Sequence, residues 1–259
     1  MNNLTNWLQR RLDRTTPNGL KLTVSLAIAG LLLAFFAGIL QGTHETSTVS
    51  GFDKAVGQAI IGLRNNTATV VFEIFTGIAG VKGSILMLIL STILLIRKPY
   101  RQLPVILITG VAVSTAIVVI VKLLVERHRP NQALQIIHEA SFSFPSGHTM
   151  AAVVLYGLVA YFIMRTFKSF SARSLVIGTW VLFVVAVAIS RIYLGVHYPS
   201  DTLASASLGA AGLSLGLAWL TRHATGLDPA SFTPYARSRL FIAFLATVVI
   251  VSIWRQFFV

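Results

Sequence analysis

LPVILITGVAVSTAIVVIV, residues 103–121, runs without a charged side chain and is followed at once by KLLVERHRP, residues 122–130. About 20 apolar residues suffice for a helix to cross the hydrocarbon of a bilayer, so the first part reads as a membrane span. The second part sets Lys122, Glu126, Arg127, His128 and Arg129 at the end of that span. Ionisable groups beside hydrocarbon are costly and persist mainly where they act. The stretch therefore predicts a helical membrane fold with a polar site at one membrane face.

Outward from this stretch, comparable apolar runs lie at 21–40, 149–164, 175–189, 203–220 and 240–254. The stretch 68–96 is less regular, with Glu73, Lys82 and glycines at 77, 80 and 83. It reads as one span, 81–96, preceded by a shorter helix at the outer interface. The expected fold is all-α: a polytopic transmembrane bundle of six core spans plus a C-terminal seventh, in one membrane-embedded domain over 1–259. Composition agrees, since 55% of residues are hydrophobic and only 11% charged, where a soluble domain carries roughly a quarter. Mean hydropathy is +0.77. In 51–63, apolar residues at Phe52, Val56, Ala59, Ile60 and Leu63 have the spacing of a short amphipathic helix lying on the membrane.

The 21 basic residues outnumber the 8 acidic ones, for a net charge of +13. They fall in short clusters between apolar runs, which argues against nucleic acid as the partner and for an anionic membrane surface or a phosphorylated ligand. With the N-terminus inside, Arg10, Arg11, Arg14, Lys21, Arg97, Lys98, Arg101, Arg165, Lys168, Arg173, Arg222, Arg237 and Arg239 all fall on the inner side. The positive-inside bias then predicts a cytoplasmic N-terminus and puts the cluster after residue 121 outside. The first run is long and lacks a small-residue cleavage site, so it reads as a retained span. No cysteine is present, which excludes disulfides and zinc–thiolate sites.

Three polar segments interrupt the apolar chain on that same side. They are 122–130, then Pro145-Ser146-Gly147-His148, then 190–201 with Ser190, Arg191, His197 and Asp201. Lys122 and Arg129 are about two helical turns apart, so both can point one way from a helix end. With Arg191, the Ser146 hydroxyl and the Gly147 N–H, they can cradle a phosphate; 146–148 also opens a helix, where free N–H groups favour an anion. Two histidines remain for phosphoryl transfer, one as nucleophile and one as general acid and base. Asp201 lies four residues after His197, on the same face of a helical turn, and Pro199 suits the first turn of the following helix.

Lys, six residues, Arg-Pro; Pro-Ser-Gly-His; Ser-Arg, five residues, His, three residues, Asp: in type, spacing and order these positions resemble the signature of the type 2 phosphatidic acid phosphatase family, related to vanadium haloperoxidases. The resemblance implies His197 as nucleophile, Asp201 as its orienting carboxylate and His148 as general acid and base. It implies Lys122, Arg129, Ser146, Gly147 and Arg191 as phosphate ligands, with Pro130, Pro145 and Ser190 structural. It implies a membrane lipid phosphatase that needs no cofactor and no metal, acting on a lipid phosphate or pyrophosphate such as undecaprenyl pyrophosphate, phosphatidylglycerophosphate or phosphatidate.

Singly, these residues have plainer explanations: snorkelling anchors for Lys122 and Arg129, a helix-end charge for Asp201. The joint pattern overrides them. Arg127, His128, Glu126, His138 and Glu139 are read as solvated at the interface. Rival functions are a phosphotransferase using the same phosphohistidine, a haloperoxidase, or a transporter, which would spread polar groups through the midplane of its spans.

Overall fold

The computed structural model describes residues 12–13, 19–43, 48–95, 102–223 and 234–258. Arg10, Arg11, Arg14, Arg97, Lys98 and Arg101, which enter the orientation argument, lie outside them, as does Ile96. Among the described residues there is no strand. The longer helices are α1 (Leu20–Gln41), α2 (Thr48–Ile61), α3 (Asn66–Ala79), α4 (Val81–Leu95), α5 (Gln102–Val125), α6 (Gly147–Arg165), α7 (Phe170–Tyr193), α8 (Pro199–His223) and α9 (Pro234–Phe258). Helices satisfy every backbone polar group internally, which is what hydrocarbon demands.

Five helices, α1, α5, α6, α7 and α8, are long and apolar enough to cross a membrane. Counted as one span, the α3–α4 pair, bent by 53° at its break, brings the number to six. The two helices are those expected from the sequence, a shorter one followed by the run from residue 81. α4 has only 15 residues, about 22 Å of helix, and falls short of the ~30 Å of hydrocarbon without α3. The expected C-terminal run is the helix α9, apolar over Ser238–Ile253, and it packs on α4, α3 and α6.

α6 is the axis of the bundle. Of its apolar window, 61% is buried, against 11% for α1, and it touches α3, α4, α5, α7, α8 and α9. Its side chains, with Met87, Leu103, Leu107 and Leu240, make the main core. α1 sits outside this ring against α8, where the small Ala204 is buried with Ile39, Phe36 and Leu40 of α1 packed about it and lets the helices approach closely. Leu31, Leu124, Leu175 and Leu182 are each more than 70% exposed, an outward belt that suits lipid and not water.

One end of the bundle gathers the polar segments. α5 ends at Glu126, whose φ of +48° turns the chain away from the helix. The connection to α6 is closed by Ser143, whose N–H donates to the Arg127 carbonyl at 2.8 Å and whose hydroxyl reaches the Arg127 and His128 carbonyls. It is tied to the α7–α8 turn by Ile136 N–H to the Leu194 carbonyl at 3.0 Å and by Ser146 N–H to the Asp201 carbonyl at 3.3 Å. That α7–α8 turn passes through Gly195 at φ +77°, where a Cβ would lie 2.1 Å from the Leu134 carbonyl oxygen. Only glycine allows both the left-handed backbone and this contact.

Candidate active site

His197 sits on the α7–α8 turn and is 3% exposed. Its Nδ1 lies 3.3 Å from Asp201 Oδ2, the i, i+4 pairing expected from the spacing. With Nδ1–H directed to that carboxylate, Nε2 carries the lone pair, and it faces the cavity 3.3 Å from Arg129 Nη1. Burial, then the nearby Arg191, Arg129 and Lys122, push the His197 pKa well below the usual imidazole value. The ring is therefore neutral at neutral pH.

Pro199 opens α8, which places Asp201 in its first turn. Asp201 is fully buried; its Oδ2 also accepts the Tyr198 N–H at 2.9 Å, and its Oδ1 accepts Arg127 Nη1 at 2.5 Å. Ser146 is the N-cap of α6, its hydroxyl accepting from Thr149 N–H at 3.4 Å. That capping sets Gly147 and His148 in the first turn of α6. The break between α3 and α4 gives His148 its room: a Cβ on Gly80 would come within 3.1 Å of His148 Nε2.

A cavity of about 380 Å³ runs between α4, α5 and α6. Its polar end is lined by Lys122, Arg129, Glu139, Gly147, His148 and His197, and its walls by apolar residues such as Ile85, Leu88, Val111 and Val118. Of the residues expected at the site, Lys122, Arg129, Gly147, His148 and His197 meet at this end. Asp201 lies behind His197 and Ser146 caps α6. Arg191, fully buried near the end of α7, reaches the site through its contact with Glu139.

The cations are held by backbone carbonyls, side-chain hydroxyls and one carboxylate. Lys122 Nζ donates to the Phe142 carbonyl. Arg129 donates from Nε to the Ser141 carbonyl and from Nη1 to the Val196 carbonyl, both at 2.6 Å. Arg191 Nη1 donates to Thr76 Oγ1 at 2.5 Å, and its buried Nε meets no hydrogen-bond partner among the described residues. Glu139 bridges the two arginines, taking Arg191 Nη2 on Oε1 and Arg129 Nη2 on Oε2 at 3.2 Å. Burial alone would raise the Glu139 pKa, but Arg191 and Arg129 hold it below the usual carboxylate value.

Glu139, its side chain 27% exposed, is not merely solvated as expected: it closes the arginine pair. Arg127 is not solvated either: its guanidinium joins Asp201 to Asp53, with Nη2 2.7 Å from Asp53 Oδ2. Asp53 was not singled out in the sequence, although 51–63 was read as amphipathic. α2 does form there, but its most buried residue is Asp53, while Phe52 and Leu63 point outward at 43% and 70% exposure. Asp53 shares the inward stripe with Val56 and Ile60, which lie three and seven positions on; a lone acid on an otherwise apolar helical stripe was the signal available. Among the described residues no group of three His, Asp or Glu side chains is placed to hold a metal ion.

The chain matches the PAP2 superfamily model over residues 103–225, which include all eight expected site residues. Phosphatidylglycerophosphatase B of Bacillus subtilis is 35% identical over 185 residues, covering 69% of this chain and 87% of that protein. Decaprenylphosphoryl-5-phosphoribose phosphatase of Mycobacterium tuberculosis is 37% identical over 107 residues, 39% of this chain and 52% of that one. The crystal structure of the transmembrane PAP2 type phosphatidylglycerolphosphate phosphatase from Bacillus subtilis superposes with a TM-score of 0.68 at 28% identity, covering 75% of this chain and 96% of that chain. With a relative so similar over most of its length and a shared bundle, this chain belongs to the PAP2 superfamily and is an integral membrane phosphatase.

Proposed function

We propose that the chain, as a single membrane-embedded domain, hydrolyses a phosphomonoester or pyrophosphate on a lipid through a phosphohistidine at His197. The observation that carries this reading is the two-sided setting of His197: a carboxylate on Nδ1, and a lone pair on Nε2 facing arginines at the head of an apolar-walled cavity. Such a cavity suits an amphiphile, phosphate at the polar end and chain along the walls. Arg129, Arg191 and Lys122 would hold the phosphate oxygens and take up charge as it develops, with the Gly147 N–H at the start of α6 beside them and Ser146 fixing that helix start. Arg191 Nε is a buried donor suited to a phosphate oxygen.

In the first step His197 Nε2 attacks phosphorus and the bond to the lipid oxygen breaks, His148 giving that oxygen its proton. In the second, His148 takes a proton from water as the water oxygen attacks phosphorus. The P–N bond breaks and inorganic phosphate leaves. Asp201 stabilises the charged ring throughout. No step needs a metal.

Phosphatidylglycerophosphate is the first substrate to try, given the relatives; undecaprenyl pyrophosphate and phosphatidate follow. The bacterial relatives support a bacterial inner membrane, and the basic residues of the inner loops support an N-terminus in the cytoplasm with the site on the outer face. Substrate labelled at phosphorus tests the mechanism. Wild type should yield an acid-labile, base-stable labelled protein that His197→Ala lacks, and equal labelling of both would sink it. Label passing to a lipid acceptor and not to water would instead identify a phosphotransferase.

A further inference from the structure

We propose that Arg127 and Asp53 are positioning residues for the reaction: Asp53 on α2 clamps Arg127, Arg127 holds Asp201, and Asp201 holds His197. The proposal rests on the reading of His197 as nucleophile given above. Neither Arg127 nor Asp53 is among the residues lining the cavity, so neither acts by touching the lipid phosphate there. Both lie on the far side of His197, where the carboxylate that orients the ring is anchored.

The contacts divide the work between the two oxygens of Asp201. Oδ1 takes Arg127 Nη1 at 2.5 Å, which leaves Oδ2 for His197 Nδ1 and the Tyr198 N–H. Arg127 cannot swing freely, because its guanidinium lies over the Tyr198 ring at 4.2 Å and its other nitrogen is on Asp53 Oδ2. Asp53 also fixes the helix start beside Asp201, accepting the Ser200 N–H at 2.8 Å and the Ser200 hydroxyl at 2.6 Å. The side chains are 2% exposed for Asp53, 12% for Arg127 and 0% for Asp201, so these charges act on one another with little screening.

Charge explains why two acids are present. Arg127 alone would cancel the charge of Asp201, and the ring that becomes cationic on taking up phosphorus would lose its counter-ion. Asp53 restores one net negative charge to the group. Arg127 and Asp53 are 74 residues apart, so the clamp also fastens α2 to the site. A purely structural clip would make the same contacts, and kinetics separate the two.

The test measures kcat, KM and thermal unfolding in detergent, with phosphatidylglycerophosphate in mixed micelles. The proteins are wild type, Arg127→Met, Arg127→Lys, Asp53→Asn, Asp201→Asn, Arg127→Met with Asp201→Asn, and His197→Ala. Arg127→Met should lower kcat about 10–100-fold, as loss of a group orienting a catalytic side chain does, with KM little changed. Arg127→Lys should recover part of the loss. In the Asp201→Asn background Arg127→Met should cost little more, because its effect passes through Asp201. Equal fractional losses in both backgrounds, or a lower unfolding temperature with kcat intact, would overturn the proposal. Should Arg127→Met fail to fold, the near-isosteric Asp53→Asn carries the same test, with a smaller fall in kcat expected and an unchanged kcat contradicting it. An active His197→Ala would sink the nucleophile reading instead.

Discussion

His197 is buried among cations, and that setting decides its protonation. An imidazole that must attack has to be neutral, and burial with Arg191, Arg129 and Lys122 around it holds its pKa below the usual value. The sign follows directly: with the pKa lowered, the neutral ring persists as pH falls through about 6.5 and is lost only further down. A pH profile of kcat/KM in wild type, which reports groups of the free enzyme, should therefore keep its acid limb well below pH 6.5, and a limb centred near 6.5 would argue against the assignment. Gly195 is the second residue whose identity is set by physics. Replacing it by Ala strains a φ of +77° and drives a Cβ against the Leu134 carbonyl. A loss of at least ~1–3 kcal/mol should appear as a lower unfolding temperature in detergent, with activity falling as the α7–α8 turn shifts.

At the scale of elements, the connection between α5 and α6 brings a carboxylate to the cations proposed to hold phosphate. Glu139 on that connection bridges Arg129 and Arg191, so an incoming phosphate must take those donors from it. Glu139→Gln removes the competing charge, and competitive inhibition by inorganic phosphate should tighten several-fold; unchanged or weaker inhibition would deny Glu139 this role. The break between α3 and α4 is a second such element. Gly80→Val should press on His148 and lower kcat more than it lowers the unfolding temperature. What the sequence disclosed at this scale follows from distance along the chain. Asp201 was legible beside His197 because four residues make one helical turn, and Pro199 marked where α8 begins. Asp53, Thr76 and Glu139 were not, because each meets its arginine only once the bundle has closed. Arg191 and Thr76 lie 115 residues apart, Arg191 and Glu139 52. The 53° bend between α3 and α4 was not legible for a related reason: it exists only in three dimensions.

For the whole molecule, the bundle places one polar end at the head of an apolar-walled cavity of about 380 Å³. That predicts a split between lipid and soluble substrates. Val111→Trp, which fills the wall of the cavity far from His197 in sequence, should cut kcat/KM for a long-chain lipid phosphate by more than 10-fold, since a close-packed wall does not make room. Hydrolysis of a short soluble phosphomonoester should be nearly unaffected, and equal loss on both would place the lipid elsewhere. The spans themselves were readable from hydropathy because lipid imposes one solution on the backbone; which helix would be central was not, since α6, at a mean hydropathy of 1.6, is less apolar than α5 at 2.6 or α7 at 2.3 and owes its place to its partners. The most direct test of the account is phosphate release from a panel of lipid phosphates and pyrophosphates by the purified protein in EDTA, beside His197→Ala. Release by wild type and none by the variant is the predicted result. Release that EDTA abolishes, or that survives His197→Ala, would contradict metal-independent catalysis through this histidine.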